Sequence, residues 1–248
     1  MVTQPSRCAH LRRALADYTW QTYTRRELVV VCDEQHAGDA DGVRADVAAL
    51  GRDDVRCVTP SGRLTLGALR NVGWASASGD VTLQWDDDDR YHPDRIAAQA
   101  GAWQRAGTLA VCLTEVMHYD LRAETVGVTN WVQSPPGCFP GSLLCARDAP
   151  VCYPEEGEAA RNADDSAMVA QLRMLDGLHG LTGAPYLYVY TAHGANTMTP
   201  AHMAMLAGGL GQSRGLLLRR EEALRQGLAP FGLSGVTVQG ANGPAFTL

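Results

Sequence analysis

Lysine is absent from this 248-residue sequence, in which all 21 basic residues are arginine. This absence excludes Schiff-base chemistry on lysine and lysine clamps for phosphate groups. Long apolar runs are absent too: no stretch approaches the roughly 20 residues that span a bilayer, and the first residues lack the apolar segment of a signal peptide. We therefore expect a cytoplasmic protein without a transmembrane segment, either free or peripheral to the inner face of the membrane.

Paired cysteines and positive charge are also scarce. The seven cysteines form no C-x-x-C pair and are odd in number, which favours reduced thiols over disulfides or a zinc site. The net charge of −6 argues against nucleic acid as a partner. Apolar residues make up 46% of the chain and charged residues 19%, as in an ordinary globular protein with a sizeable core.

The chain does contain a regular alternation of helical and strand patterns. Helices are expected over 10–23, 42–51, 64–77 and 92–107, and strands over 27–32, 55–58, 80–85 and 109–119. This rhythm predicts an α/β fold with a parallel, doubly wound sheet. Later expected elements are a helix over 164–178, a strand within 185–198, a helix over 213–228 and a terminal hairpin.

Four consecutive aspartates stand in the segment LQWDDDDRYHP, residues 83–93, directly after an apolar strand pattern. A second acidic pair, Asp33–Glu34, also follows a predicted strand. Ligands of parallel α/β sheets lie outside the carboxyl ends of the strands, so the two acidic sites are expected to face one crevice. Carboxylate oxygens suit Mg²⁺ or Mn²⁺, ions that usually keep a substrate phosphate among their ligands. The aspartate run therefore predicts a metal and phosphate site rather than a solvated loop.

Two segments, QTYTRRELVVVCDE (21–34) and LGALRNVGWASASGDVTLQWDDDDRYHPDRI (66–96), resemble the inverting GT-A glycosyltransferases of family 2. The family pattern is a Q-T-Y helix end, a strand running into acids, an A-R-N helix with a following A-x-G-D, and an Asp-x-Asp-Asp with a proline behind it. Several independent motifs thus occur in order and at sensible spacing. The resemblance covers roughly residues 1–205. It implies the GT-A fold, a Rossmann-like α/β fold whose mostly parallel central sheet is flanked by helices.

The resemblance also implies an activity and a domain organisation. The enzyme would move a sugar from a nucleotide-diphosphate donor, with a UDP-sugar favoured, to a hydroxyl of a saccharide, lipid or natural product. Its catalytic domain would have a nucleotide-binding half over 1–107 and an acceptor-binding half over 108–205. Residues 206–248 would form a C-terminal helix and hairpin extension, which offers a surface for a homodimer.

The metal site follows from the same resemblance. Asp88 matches the final carboxylate of the Asp-x-Asp signature, which binds the Mn²⁺ or Mg²⁺ that bridges the donor diphosphate. Asp86 and Asp87 are implied to lie against the donor ribose or to assist the metal through water, and Asp89 to support the loop. His193 stands after the last predicted core strand, where some GT-A enzymes complete the metal's ligands with a histidine. A lone histidine at a strand end is otherwise a structural or solvated residue.

The nucleotide base has its own set of implied contacts. Asp33 matches the aspartate that receives the base, usually uracil, although Cys32 replaces the first of the family's two acids there. The segment VTQPSR resembles the nucleotide-binding turn, which implies that Thr3, Pro5 and Arg7 lie beside the nucleotide. The sequence departs from the pattern at Pro5, since an aromatic residue commonly stacks on the base at that position.

The diphosphate and the acceptor need further residues. Arg70, in ALRN, is implied to face the diphosphate, with Arg63 as a second candidate; either is otherwise a surface arginine. Single-displacement glycosyl transfer needs a carboxylate that takes the proton of the acceptor hydroxyl. The segment NADDSAMVAQL resembles the family's acidic signature at a helix start, which implies Asp165 as the catalytic base and Asp164 as its partner. The alternative is that both are helix-capping aspartates.

Three other functions are alternatives for the same residues. A sugar nucleotidyltransferase would carry a G-x-G-[TS]-R opening and a functional lysine, and both are missing. A metal-dependent phosphodiesterase or nuclease would need further His and Asp ligands at strand ends, where only His193 is available. A catalytically inactive GT-A binding subunit stays open, although both acidic motifs are present.

Overall fold

The computed structural model of the chain describes residues 1–34, 40–194, 196 and 200–248. The strands are β1 (Val2–Thr3), β2 (Leu28–Cys32), β3 (Val55–Val58), β4 (Val81–Leu83), β5 (Arg90–Tyr91), β6 (Ala110–Leu113), β7 (Glu115–Asp120), β8 (Thr125–Asn130), β9 (Leu144–Ala146), β10 (Leu178–Leu181), β11 (Tyr188–Ala192), β12 (Thr237–Gly240) and β13 (Gly243–Thr247). The helices are α1 (Cys8–Thr19), α2 (Ala40–Ala48), α3 (Leu66–Ser76), α4 (Arg95–Ala106), α5 (Ala159–Asn162), α6 (Asp164–Met174), α7 (Pro200–Leu210), α8 (Arg214–Arg219) and α9 (Glu221–Leu228). The predicted α/β class is confirmed.

The N-terminal part contains a parallel sheet with the strand order β1-β2-β3. Every residue of β2 is buried, because helices cover both of its faces. Val31 packs with Leu69 of α3, whereas Val30 packs with Leu15 of α1. A strand that is apolar at every position is expected where both faces of a sheet are covered.

The later strands form two mixed sheets, with the orders β10-β6-β9-β4 and β13-β12-β8-β7-β11-β5. The single strand predicted over 109–119 is divided between them, since β6 belongs to the first and β7 to the second. Thr114 lies at the division. Its N–H donates to the Leu181 carbonyl at 2.9 Å, and its carbonyl accepts from the Trp131 N–H at 2.7 Å. Hydrogen bonds to two different neighbours therefore redirect the chain at this residue.

The C-terminal extension packs onto the rest of the domain. Helix α7 crosses residue 205, where the sequence placed the end of the catalytic domain. The helix predicted over 213–228 is interrupted at Arg220, whose guanidinium makes hydrogen bonds of 2.9 and 3.0 Å to the two carboxylate oxygens of Glu115 in β7. The predicted hairpin is confirmed as β12 and β13, and β12 pairs in parallel with β8. The extension thus enlarges the six-stranded sheet.

A cavity of about 390 Å³ is lined by residues of both β2 and β4, two strands that belong to different sheets. Its lining includes Val29, Val31, Val81 and Leu83 from these two strands, together with Met1. The amino group of Met1 donates to the Val29 carbonyl at 2.9 Å. Across the ranges that the structure describes, no helix is long and apolar enough to cross a membrane.

Candidate active site

The four aspartates lie in the loop between β4 and β5, and each carboxylate has its own partners. Asp87 and Asp89 are each only 3% exposed, so unpaired charges at these positions would be costly. Instead, arginine, histidine and hydroxyl groups from several elements surround the run. The aspartates therefore form the centre of a polar network rather than a solvated loop.

Arg7, in the turn before α1, connects two of the aspartates. Its Nη2 atom lies 2.7 Å from Oδ1 of Asp87 and 2.6 Å from Oδ2 of Asp88. The hydroxyl of Thr3 donates to the other oxygen of Asp87 at 2.6 Å. Burial raises the pKa of Asp87 to about 6, although the charge of Arg7 acts in the opposite direction.

His193 follows β11 directly and reaches the same carboxylate of Asp88. Its Nε2 atom lies 3.1 Å from Oδ2 of Asp88. Burial acts to raise the pKa of Asp88, but the hydrogen bond from His193 and the charge of Arg7 outweigh it, and the pKa falls to about 2. Asp88 is therefore held firmly in its ionised form.

The donor set at Asp88 can be tested against the implied metal. Among the described residues, no group of three or more His, Cys, Asp or Glu side chains is arranged to hold a metal ion. Asp88 and His193 do offer one oxygen and one nitrogen within 3.1 Å of each other. Mg²⁺ and Mn²⁺ sites commonly use one or two protein ligands together with substrate phosphates and waters. The residues therefore fit an ion whose remaining ligands come from a bound diphosphate.

Arg70, on α3, joins the aspartate run to the acidic start of α6. Its Nη2 lies 3.1 Å from Oδ1 of Asp86, and its Nε lies 3.2 Å from Oδ2 of Asp164. One guanidinium thus contacts an acid from each predicted half of the domain. Arg63, the second arginine predicted for the diphosphate, is exposed in the loop before α3 and makes no ion pair with a described residue.

The two acids at the start of α6 lie beside Arg70. Asp164 is 2% exposed, and burial raises its pKa to about 6 even though the charge of Arg70 lowers it. Burial also raises the pKa of the half-buried Asp165, again against the effect of Arg70, and Asp86 raises it further. A carboxylate whose pKa is raised toward neutrality is suited to accept a proton near pH 7.

Asp89 points away from these charged partners into the core. One of its oxygens accepts a hydrogen bond from the hydroxyl of Tyr188, and the other accepts from the N–H of Thr191 at 2.8 Å. Both partners belong to β11, so Asp89 fixes the loop to the strand that directly precedes His193. This geometry agrees with the supporting role that the resemblance implied for Asp89.

The residues predicted for the nucleotide base lie at the carboxyl ends of β1 and β2. The N–H of Asp33 donates to the carbonyl of Thr3 at 2.9 Å, and both residues are buried. Pro5 is buried in the short turn that follows β1. Since Thr3 also binds Asp87, the predicted base contacts and the aspartate run meet at one edge of the sheet.

One face of α1 contributes contacts that the sequence reasoning missed. Arg13 donates from Nη2 to the main-chain carbonyl of Asp88 at 2.8 Å. One turn later, Asp17 accepts from Nε of Arg90 at 2.8 Å. Arg13 and Asp17 are four residues apart and therefore share one face of α1, whereas Arg7 belongs to the turn that precedes the helix. Charged residues at helical spacing were the available signal.

The parallel sheet, its flanking helices and the acidic edge at the strand ends define the GT-A class of fold. The family model "Glycosyl transferase family 2" matches residues 7–155, which is more than half of the chain. The chain therefore belongs to glycosyl transferase family 2 and is a glycosyltransferase. No curated protein sequence matches it.

Solved structures show the same fold. TarS 1–349 from S. aureus has a TM-score of 0.60 at 14% identity, with 91% of this chain and 71% of that chain covered. The same fragment in complex with UDP-GlcNAc has a TM-score of 0.61 at 15% identity, covering 83% and 64%. The mannosyltransferase PcManGT from Pyrobaculum calidifontis, in complex with GDP-Man and Mn²⁺, has a TM-score of 0.57 at 17% identity, covering 94% and 64%. The chain thus spans less than two thirds of the second and third of these chains.

Proposed function

We propose that this chain is an inverting glycosyltransferase that transfers a sugar from a nucleotide-diphosphate donor to an acceptor hydroxyl. The observation that carries the proposal is the position of Arg70 between Asp86 and Asp164. Because of this contact, the acid pair that would activate the acceptor lies next to the aspartates that would bind the donor. A transferase needs both groups around one reacting carbon.

The donor site would be formed at the edge where β1, β2 and the aspartate run meet. Its residues are Thr3, Pro5, Arg7, Asp33, Arg70, Asp86 and Asp87. We favour a UDP-sugar, with Asp33 and Thr3 on the side of the base and the arginines on the diphosphate. The TarS complex contains UDP-GlcNAc and the PcManGT complex contains GDP-Man, which supports a nucleotide-sugar donor.

Asp88 and His193 would hold a Mn²⁺ or Mg²⁺ ion beside the diphosphate. When bound, such an ion neutralises the charge that develops on the leaving diphosphate. An imidazole ligand suits a transition-metal ion better than it suits Mg²⁺, so we favour Mn²⁺. The PcManGT complex also contains Mn²⁺.

Asp165 would act as the general base, with Asp164 as its acidic partner. Its raised pKa and its place in the first turn of α6 suit a carboxylate that is ionised, yet basic enough to accept a proton. The attack by the acceptor oxygen on the anomeric carbon, opposite the departing diphosphate, would invert that centre. The acceptor would be a saccharide, a lipid or a natural product, bound on the side of residues 108–205.

A thermal-shift experiment with nucleoside diphosphates tests the donor site. We expect UDP to stabilise the protein strongly only when Mn²⁺ is present, because the ion links the diphosphate to Asp88. Asp88→Ala should remove this joint effect. Asp53→Ala, which removes an exposed carboxylate in a loop before β3, should retain it. Stabilisation by metal without nucleotide would favour a nuclease, and no response to either would favour an inactive binding subunit.

Asp165→Asn tests the base. We expect the variant to keep its stabilisation by UDP and Mn²⁺, because the amide leaves the donor site intact. Transfer measured with a suitable donor and acceptor should fall by about 100-fold or more. Equal losses of binding and transfer would assign Asp165 a structural role instead.

A further inference from the structure

Arg7 makes an unusual contact for a residue beside a predicted cation site. Its Nη2 atom lies 2.6 Å from Oδ2 of Asp88, and His193 approaches the same oxygen at 3.1 Å. The same Nη2 lies 2.7 Å from Asp87. The positive charge of Arg7 thus lies between Asp88, a proposed metal ligand, and the neighbouring carboxylate of Asp87.

This position is incompatible with a divalent cation on the same carboxylate. A guanidinium and a metal ion that shared Oδ2 of Asp88 would repel each other at short range, where the local environment screens charge poorly. Arginine also forms its strongest contacts with carboxylates or phosphates. Once Arg7 leaves the carboxylates, a diphosphate at the adjoining edge of the sheet is therefore its natural partner.

The local structure lets the side chain move. Both ion pairs run through the single atom Nη2, and Nε makes no hydrogen bond to any described residue. The side chain is 29% exposed, so it lies at the mouth of the site. Its backbone belongs to the short turn Pro5–Arg7 that follows β1, and the N–H of Arg7 is bound to the carbonyl of Gln4 at 2.9 Å. Arg7 can therefore leave the two aspartates through a change in its side-chain conformation alone, while its backbone stays in place.

We propose that Arg7 is an exchangeable counter-cation: it neutralises Asp87 and Asp88 while no metal is bound, and it transfers to the donor diphosphate when a divalent cation takes its place on Asp88. This inference rests on the proposed function. It adds that Arg7 opposes the binding of metal alone and favours the binding of metal together with nucleotide. Arg7 would thereby keep the site from filling with metal before the donor arrives.

Measurement of Mn²⁺ affinity tests the proposal without an activity assay. Free Mn²⁺ is followed by electron paramagnetic resonance on the full chain, with and without saturating UDP. Without UDP, we expect Arg7→Gln to bind Mn²⁺ about tenfold more tightly than the unaltered protein, which corresponds to about 1.4 kcal/mol. The factor by which UDP increases the Mn²⁺ affinity should be about tenfold smaller in Arg7→Gln, because the coupling through Arg7 is lost.

Arg12→Gln is the matched control. It removes the same charge from α1, the helix that follows Arg7, but Arg12 pairs with Asp46 at 2.8 Å on the exposed side. The Mn²⁺ affinities with and without UDP should therefore both remain at the unaltered values. Arg7→Lys keeps the positive charge and should bind Mn²⁺ alone about as weakly as the unaltered protein. If Arg7→Gln does not fold, Arg7→Lys still tests the proposal. A lysine variant that binds Mn²⁺ clearly more tightly than the unaltered protein would overturn it.

Two results would contradict the role of Arg7 directly. The first is a Mn²⁺ affinity of Arg7→Gln, measured without UDP, that equals or falls below that of the unaltered protein. The second is an unchanged coupling between UDP and Mn²⁺. Failure of the proposed function has a different signature, because Asp88→Ala would then leave Mn²⁺ binding unaffected in the presence of UDP.

Discussion

We predict that removing the charge of Asp164 makes the protein more stable. The carboxylate is 2% exposed, and burial raises its pKa from the ordinary value near 4 to about 6. Its Oδ2 atom has no aligned hydrogen-bond donor among the described residues, since the approach of Arg70 at 3.2 Å is an ion pair only. We therefore expect Asp164→Asn to stabilise the metal-free protein at neutral pH.

The direction and the size of this change in the free energy of unfolding follow from the pKa of Asp164. A carboxyl pKa that is higher in the folded protein than in the unfolded chain means that the folded state binds the proton more tightly, so stability falls as the pH rises from about 4 to about 6. Two pKa units correspond to about 3 kcal/mol. Since the pKa of about 6 already includes the attraction of Arg70, we expect a gain of about 1–3 kcal/mol in the free energy of unfolding above pH 7.

Urea unfolding, followed by circular dichroism in the presence of a chelator, measures this difference. The difference in the free energy of unfolding between Asp164→Asn and the unaltered protein should be largest at about pH 7.5 and should disappear as the pH approaches 4. Asp53→Asn, at an exposed position, should change stability by less than about 0.5 kcal/mol at either pH. A variant less stable than the unaltered protein at neutral pH would refute the reasoning, because the attraction of Arg70 would then exceed the cost of burial.

Two further predictions concern packing outside the site. Arg220→Ala leaves the carboxylate of Glu115 buried without its bidentate partner, so it should lower the free energy of unfolding in urea by about 2–3 kcal/mol. The control Arg225→Ala breaks an exposed pair within α9 and should lower it by less than about 0.5 kcal/mol. Similar losses in the two variants would show that the contact with Glu115 does not anchor the C-terminal extension. Gly67→Ala would bring a Cβ atom within 1.9 Å of a main-chain oxygen and should lower stability by about 1–3 kcal/mol, while Gly208→Ala, which has open space, should leave the melting temperature unchanged or raise it.

The sequence was sufficient for the family and for much of the layout of the site. The order of its motifs led to the GT-A fold, and the apolar pattern before Asp86 correctly indicated that the aspartates belong to a structured strand end. The bridge between Asp86 and Asp164 through Arg70 depends on the packing of α3 against α6 and could not be read from the spacing of residues.

Other features depend on long-range contacts that local patterns do not encode. The division of the predicted strand at Thr114 results from hydrogen bonds to Leu181 and Trp131, which are distant in sequence. The interruption between α8 and α9 depends on the contact of Arg220 with Glu115 on β7. Likewise, Arg7 was predicted to bind the nucleotide, but nothing in its sequence neighbourhood indicated that it contacts two aspartates about 80 residues away. The roles assigned to the individual site residues remain predictions.

The cavity of about 390 Å³ leaves unfilled space bordered by two strands of different sheets. The side chains that line it include Val29 and Val31 of β2 and Val81 and Leu83 of β4. A larger apolar side chain at one of these positions has space to occupy, and filling a cavity commonly stabilises a protein. The gap is therefore a place where the stability of the fold can be raised without replacing any of the acidic residues of the site.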